Sequence, residues 1–135
     1  MKASSSTPVQ AENNSRPLVF LVDDEAMLLE LNTVILEPLG YRVKAFSDPV
    51  AAVRAYSVTE PRPALIVTDY AMGEVNGMYV ISACRRLNPS QKIILLSGTV
   101  DETIFEEASE KPDRFLAKPY QCQQLTDLVS ELLAA

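Results

Sequence analysis

The 135-residue chain contains no histidine, and its two cysteines, Cys84 and Cys122, are far apart with no CxxC pair. A thiolate or imidazole metal centre is therefore excluded, and both cysteines, set in apolar helical patterns, are expected to be reduced, buried packing residues. Basic side chains number 12 against 18 acidic ones, for a formal charge of −6. No Lys/Arg cluster is dense enough to displace counterions from phosphates, so direct nucleic-acid binding is not expected. No apolar run approaches the ~18–20 residues that span a bilayer, and the N-terminus lacks a continuous apolar signal core. The expectation is a cytoplasmic protein without a membrane partner.

What is present fits one core. With 47% apolar and 22% charged residues, the chain has the size and composition of a single domain. Residues 1–16, MKASSSTPVQAENNSR, are polar and without periodicity, and are expected to form a disordered tail before a domain over 17–135. Short apolar runs then alternate with amphipathic stretches. The runs are Leu18–Val22, Tyr41–Phe46, Ala64–Thr68, Lys92–Leu96 and Arg114–Ala117. Four are nearly all apolar, as strands covered on both faces of a parallel sheet should be; the second alternates like an edge strand. Residues 26–38 space Met27, Leu28, Leu31, Val34 and Ile35 as one helical face, and 121–133 do the same with Cys122, Leu125, Leu128, Val129 and Leu132. Gly40 follows the first helix, Ser47-Asp48-Pro49 opens the second, and Pro61-Arg62-Pro63 closes it. The sum is an α/β, doubly wound (βα)5 flavodoxin-like parallel sheet of strand order 2-1-3-4-5.

Such sheets bind ligands at the carboxyl ends of their strands. One step past each run lie Asp23-Asp24-Glu25 after the first, Asp69 after the third, Ser97 after the fourth and Lys118-Pro119 after the fifth. Singly, each has an ordinary reading as a helix cap or a turn residue. Together they place carboxylates, a hydroxyl and an ammonium on one edge. Clustered carboxylates repel by about 1 kcal/mol in water and about 4 at an effective dielectric of 20 for charges about 4 Å apart. A hard divalent cation fits among them, and Mg²⁺ is the usual choice where a phosphoryl group is handled. Lys118 and Ser97 would then hold phosphoryl oxygens, leaving Asp69, alone on its strand, as the nucleophile.

The blocks LVDDE, IVTDYAMGEVNG, LLSG and FLAKPY, in order across about residues 17–134, resemble the signature blocks of the response-regulator receiver domain, the aspartyl-phosphate acceptor of two-component signalling. The resemblance implies a phosphoacceptor, Asp69, that takes its phosphoryl group from a histidine kinase or a histidine phosphotransfer protein. It also implies that Mg²⁺ is held by Asp24, Asp69 and the Ala71 carbonyl, with Asp23 acting mainly through water. Lys118 becomes the site lysine before a cis Pro119, Ser97 and Phe115 the switch pair, and Ala71 and Thr99 the residues flanking the path of a hydrolytic water. Ser97 is expected to have no comparable hydrogen-bond partner before phosphorylation. A downstream protein would read the face made by the fourth helix, fifth strand and fifth helix.

Two positions depart from the usual pattern. Gly73 stands where a proline is common, which should loosen the loop, and Lys111-Pro112-Asp113 replaces a usual Ala-Gly before the fifth strand. The expected fourth helix, near 101–110, carries Asp101, Glu102, Glu106, Glu107 and Glu110, a solvated face or a dock for a basic partner. The initiating Met and the end just past the last helix suggest a stand-alone regulator; the alternative is the terminal receiver of a hybrid kinase. The domain would catalyse only its own phosphorylation and dephosphorylation. Two other classes fit less well. A dehalogenase-type phosphohydrolase needs a D-x-D after the first strand, where this chain has adjacent Asp23-Asp24. A flavodoxin-like cofactor binder needs a Ser/Thr/Gly-rich phosphate loop there.

Overall fold

The computed structural model describes residues 16–99, 103 and 110–134. The described elements run, in chain order, β1 (Leu18–Val22), α1 (Ala26–Leu36), β2 (Arg42–Phe46), α2 (Pro49–Val58), β3 (Leu65–Asp69), α3 (Gly77–Leu87), β4 (Lys92–Ser97), β5 (Arg114–Ala117) and α4 (Cys122–Leu133). The strands form one sheet in the order β2-β1-β3-β4-β5, and every neighbouring pair is parallel. The expected fourth helix falls largely outside the described residues, and so does most of the expected N-terminal tail.

Local chemistry accounts for most boundaries. Pro38 has no N–H to continue the α1 ladder, so the chain tightens into a 3₁₀ turn over Glu37–Leu39 and ends at Gly40, whose φ of 104° suits glycine. Asp48 caps α2 by accepting from the Val50 N–H at 3.1 Å, with Pro49 at the first helical position. Asn76 caps α3 through the Met78 N–H at 2.9 Å, and Gln121 with Gln124 forms a reciprocal capping box on α4.

Period-2 alternation along the central strands sends side chains to two cores. Phe20, Val22, Ile66, Ile93 and Leu95 meet Tyr56 of α2 and Val80, Ile81 and Cys84 of α3 on one face. Val19, Leu21, Leu65, Val67, Ile94 and Leu96 meet Leu36 of α1 and Leu125, Val129 and Leu132 of α4 on the other.

Three expectations about burial need correction. In β5, the edge strand of the sheet, only Leu116 is buried, while Phe115 is half-buried against the opposite core. In α1 the stripe taken as core-facing is largely exposed, with Met27 83%, Leu31 46% and Val34 62% accessible. Its inward positions are Asn32 and Leu36, with Leu29 half-buried beside them. Apolar residues surround this helix on nearly every side, so spacing alone could not choose its inner face. Cys84 is buried, its thiol pushed up to about 12 by desolvation, but Cys122 is exposed at the first turn of α4.

Candidate functional site

Asp69 and Ser97 are the last residues of β3 and β4, each held in the strand ladder rather than in a following loop. Register sets Asp69 opposite Leu96 and Ser97 opposite Ala117, so the strand ends step together toward Lys118. The Lys118 N–H donates to the Ser97 carbonyl at 2.8 Å, which extends the β4–β5 ladder by one bond. On the other side, the Asp23 N–H donates to the Phe46 carbonyl at 3.0 Å, tying the end of β1 to β2.

The three carboxylates of Asp23, Asp24 and Asp69 each offer an oxygen within 4.8 Å of the others, with Asp23 and Asp69 buried and Asp24 exposed. Lys118 Nζ reaches Asp23 Oδ2 at 3.3 Å and Asp69 Oδ1 at 3.1 Å. The Lys118–Pro119 peptide bond is cis. Desolvation raises the Asp23 carboxyl above the usual range; Asp69 repels it further, while the Glu25 N–H and Lys118 act the other way. Asp69 is raised for the same first reason, against the hydrogen bond and charge of Lys118. Burial by itself would lower the Lys118 ammonium, but the surrounding Asp23, Asp69 and Glu25 carboxylates raise it well above its ordinary value. One ammonium therefore faces three carboxylates, and the uncompensated negative charge of hard oxygen donors suits a divalent cation such as Mg²⁺.

Ser97 is buried, and its Oγ accepts from the Thr99 N–H at 3.2 Å, a contact made by the oxygen's lone pair. Thr99 and Ala71 are both exposed. Phe115, half-buried on β5 opposite Leu95, packs against the core that contains Tyr56. Gly73 has a φ of 76°, a left-handed conformation that proline's ring forbids, so the departure at this position has a defined geometric consequence. Asp113 of the unusual Lys111-Pro112-Asp113 block accepts from the Ile93 N–H at 2.7 Å and from Arg85 Nη2 at 2.8 Å. Arg85 also donates to the Lys111 carbonyl.

Two features escaped the sequence. Glu25, read only as part of an acidic run, accepts from Lys118 Nζ at 3.1 Å. Buried Asn32 bonds the Tyr120 hydroxyl at 3.0 Å, joining α1 to the turn that carries Lys118. Adjacency to Asp24 was a signal for the first; a polar residue inside an apolar helix was a signal for the second.

A parallel five-stranded sheet with an acid cluster and one lysine at its carboxyl edge defines a phosphoacceptor-type α/β signalling domain. The family model described as the response regulator receiver domain matches residues 19–130, and the chain belongs to that family. The chemotaxis protein CheY of Thermotoga maritima is 27% identical over 116 residues, covering 84% of this chain and 95% of that protein. The transcriptional regulatory protein PrrA of Mycobacterium leprae is 31% identical over 121 residues, but the chain spans only 51% of its length. The match to the sensor kinase CckA of Brucella abortus spans 12% of that protein. Among solved structures, a response regulator receiver protein from Sinorhizobium medicae is 28% identical with a TM-score of 0.79, covering 90% of this chain and 97% of that one. A chain of the CheX-CheY-BeF3-Mg²⁺ complex from Borrelia burgdorferi shares the fold at a TM-score of 0.80 and 19% identity, over 88% and 90% of the two chains. The chain is a receiver domain of two-component signalling. None of the helices among the described residues is long and apolar enough to cross a membrane.

Proposed function

We propose that Asp69 is the phosphoacceptor of this receiver, charged by a histidine kinase or a histidine phosphotransfer protein, and that the domain acts in the cytoplasm through a protein partner. The observation that carries the reading is the Lys118 ammonium seated between Asp23 and Asp69 within a three-carboxylate cluster. A carboxylate oxygen of Asp69 forms a bond to phosphorus as the P–N bond of the donor phosphohistidine breaks, and the imidazole leaves with the bonding pair and takes up a proton. Lys118 and the Ser97 hydroxyl hold the transferred oxygens. Asp23, Asp24, Asp69 and the Ala71 carbonyl would hold Mg²⁺, which supplies charge neutralisation for the phosphoryl group. In the hydrolysis that resets the domain, water attacks phosphorus, the bond from phosphorus to the Asp69 oxygen breaks, inorganic phosphate leaves and the Asp69 carboxylate is regenerated. Ala71 and Thr99 flank that path, and their small side chains leave it open.

Incubation with acetyl phosphate and Mg²⁺ should add one phosphoryl group, located on Asp69 by mass spectrometry. Undiminished labelling of Asp69→Asn would overturn the assignment.

A further inference from the structure

We propose that Glu25 is a positioning residue that competes with the phosphoryl group for Lys118 and so holds back occupancy of the site. The inference rests on the phosphoacceptor reading of Asp69. The Lys118 ammonium hydrogen-bonds Asp23 at 3.3 Å and Glu25 at 3.1 Å and forms an ion pair with Asp69 at 3.1 Å. Phosphorylation converts the Asp69 carboxylate into an acyl phosphate whose charge sits on the new phosphoryl oxygens, and Glu25 then competes with those oxygens for Lys118.

Exposure separates the two carboxylates that remain. The Asp23 side chain is 4% accessible, whereas that of Glu25 is 61% accessible. Asp23 would be left desolvated and unpaired without its ammonium, at large cost. Glu25 instead returns to water. Glu25 also places a negative charge beside the route of an incoming phosphoryl dianion, an effect of the same sign. An exposed ion pair of this kind shifts an equilibrium by up to about fivefold, and the effect falls with ionic strength.

The chain has no tryptophan, so beryllofluoride binding is best followed by amide chemical shifts, at saturating Mg²⁺ so that any change in metal affinity drops out. Glu25→Gln, which keeps size and hydrogen bonding but not charge, should bind beryllofluoride about two- to fivefold more tightly and take label from acetyl phosphate faster by a similar factor. Raising NaCl should shrink the gain, which a merely structural role would not do. Wild-type protein that takes no label at Asp69 removes the phosphoacceptor reading itself. Labelled wild type with Glu25→Gln binding beryllofluoride no more tightly, or with a gain indifferent to salt, overturns the role of Glu25 alone.

Discussion

Gly77 opens α3, and its N–H donates to the Tyr70 carbonyl at 2.8 Å, which draws the helix start against the end of β3. A methyl group placed on Gly77 would stand 2.5 Å from the Asp69 carbonyl oxygen, 2.7 Å from Leu95 Cδ1 and 3.2 Å from Tyr70 Cα. Carbon contacts relax near 3.5–4.0 Å, so Gly77→Ala demands a displacement of roughly 1 Å. Leu95 is fully buried, and the Asp69 carbonyl belongs to the backbone of the central strand, so neither can yield cheaply. Overpacking of this kind costs about 1–3 kcal/mol. Alanine's better helix propensity offsets at most about 1 kcal/mol of it. The midpoint of thermal unfolding should therefore fall by roughly 3–10 °C for a domain of this size, measured by far-UV circular dichroism without metal at neutral pH. The displaced peptide is that of Asp69, so acetyl-phosphate labelling should slow as well. An unchanged or raised midpoint would show that the methyl is accommodated and that the close approach of α3 to Asp69 is not needed.

Three further outcomes follow from the site. Asp24→Ala should stay folded, since Asp24 is exposed, yet lose Mg²⁺ binding and phosphorylation; a Mg²⁺ titration identical to wild type would count against Asp24 as a ligand. Ser97→Ala should still accept phosphate while losing most of the amide-shift response at Phe115 to beryllofluoride, because a charge-assisted bond worth about 1.5–3 kcal/mol is missing. Since Ser97 Oγ already accepts from the Thr99 N–H, the shift of Thr99 should change in the unphosphorylated variant too, and a full-sized Phe115 response would sever the coupling. Burial raises the Asp23 and Asp69 carboxyls in the folded state, so the folded protein binds protons more tightly than the unfolded chain and these groups favour folding more as pH falls. Without metal, the stability difference between Asp69→Asn and wild type should accordingly move toward the wild type as pH drops from 7 toward 4, and a difference independent of pH would refute the raised carboxyl.

Much of this molecule is local chemistry and so was legible in the sequence. Period-2 and near-continuous apolar runs marked all five strands, because a two-sided sheet must bury both sets of side chains. The strand order and the carboxyl-edge rule then brought Asp23, Asp69 and Lys118 together before any coordinate did. Asp48 and Pro49 announced the start of α2 because a cap needs only its own next turn. What tertiary structure decided were choices between locally equivalent alternatives. The sequence AMLLELNTVIL offers an apolar residue at almost every phase, and only packing of Leu36 against the second core and the pairing of Asn32 with Tyr120 turned Met27, Leu31 and Val34 outward. Likewise, Glu25 and Lys118 lie 93 residues apart. Their ion pair exists only because β1 and β5 end on the same edge of the sheet.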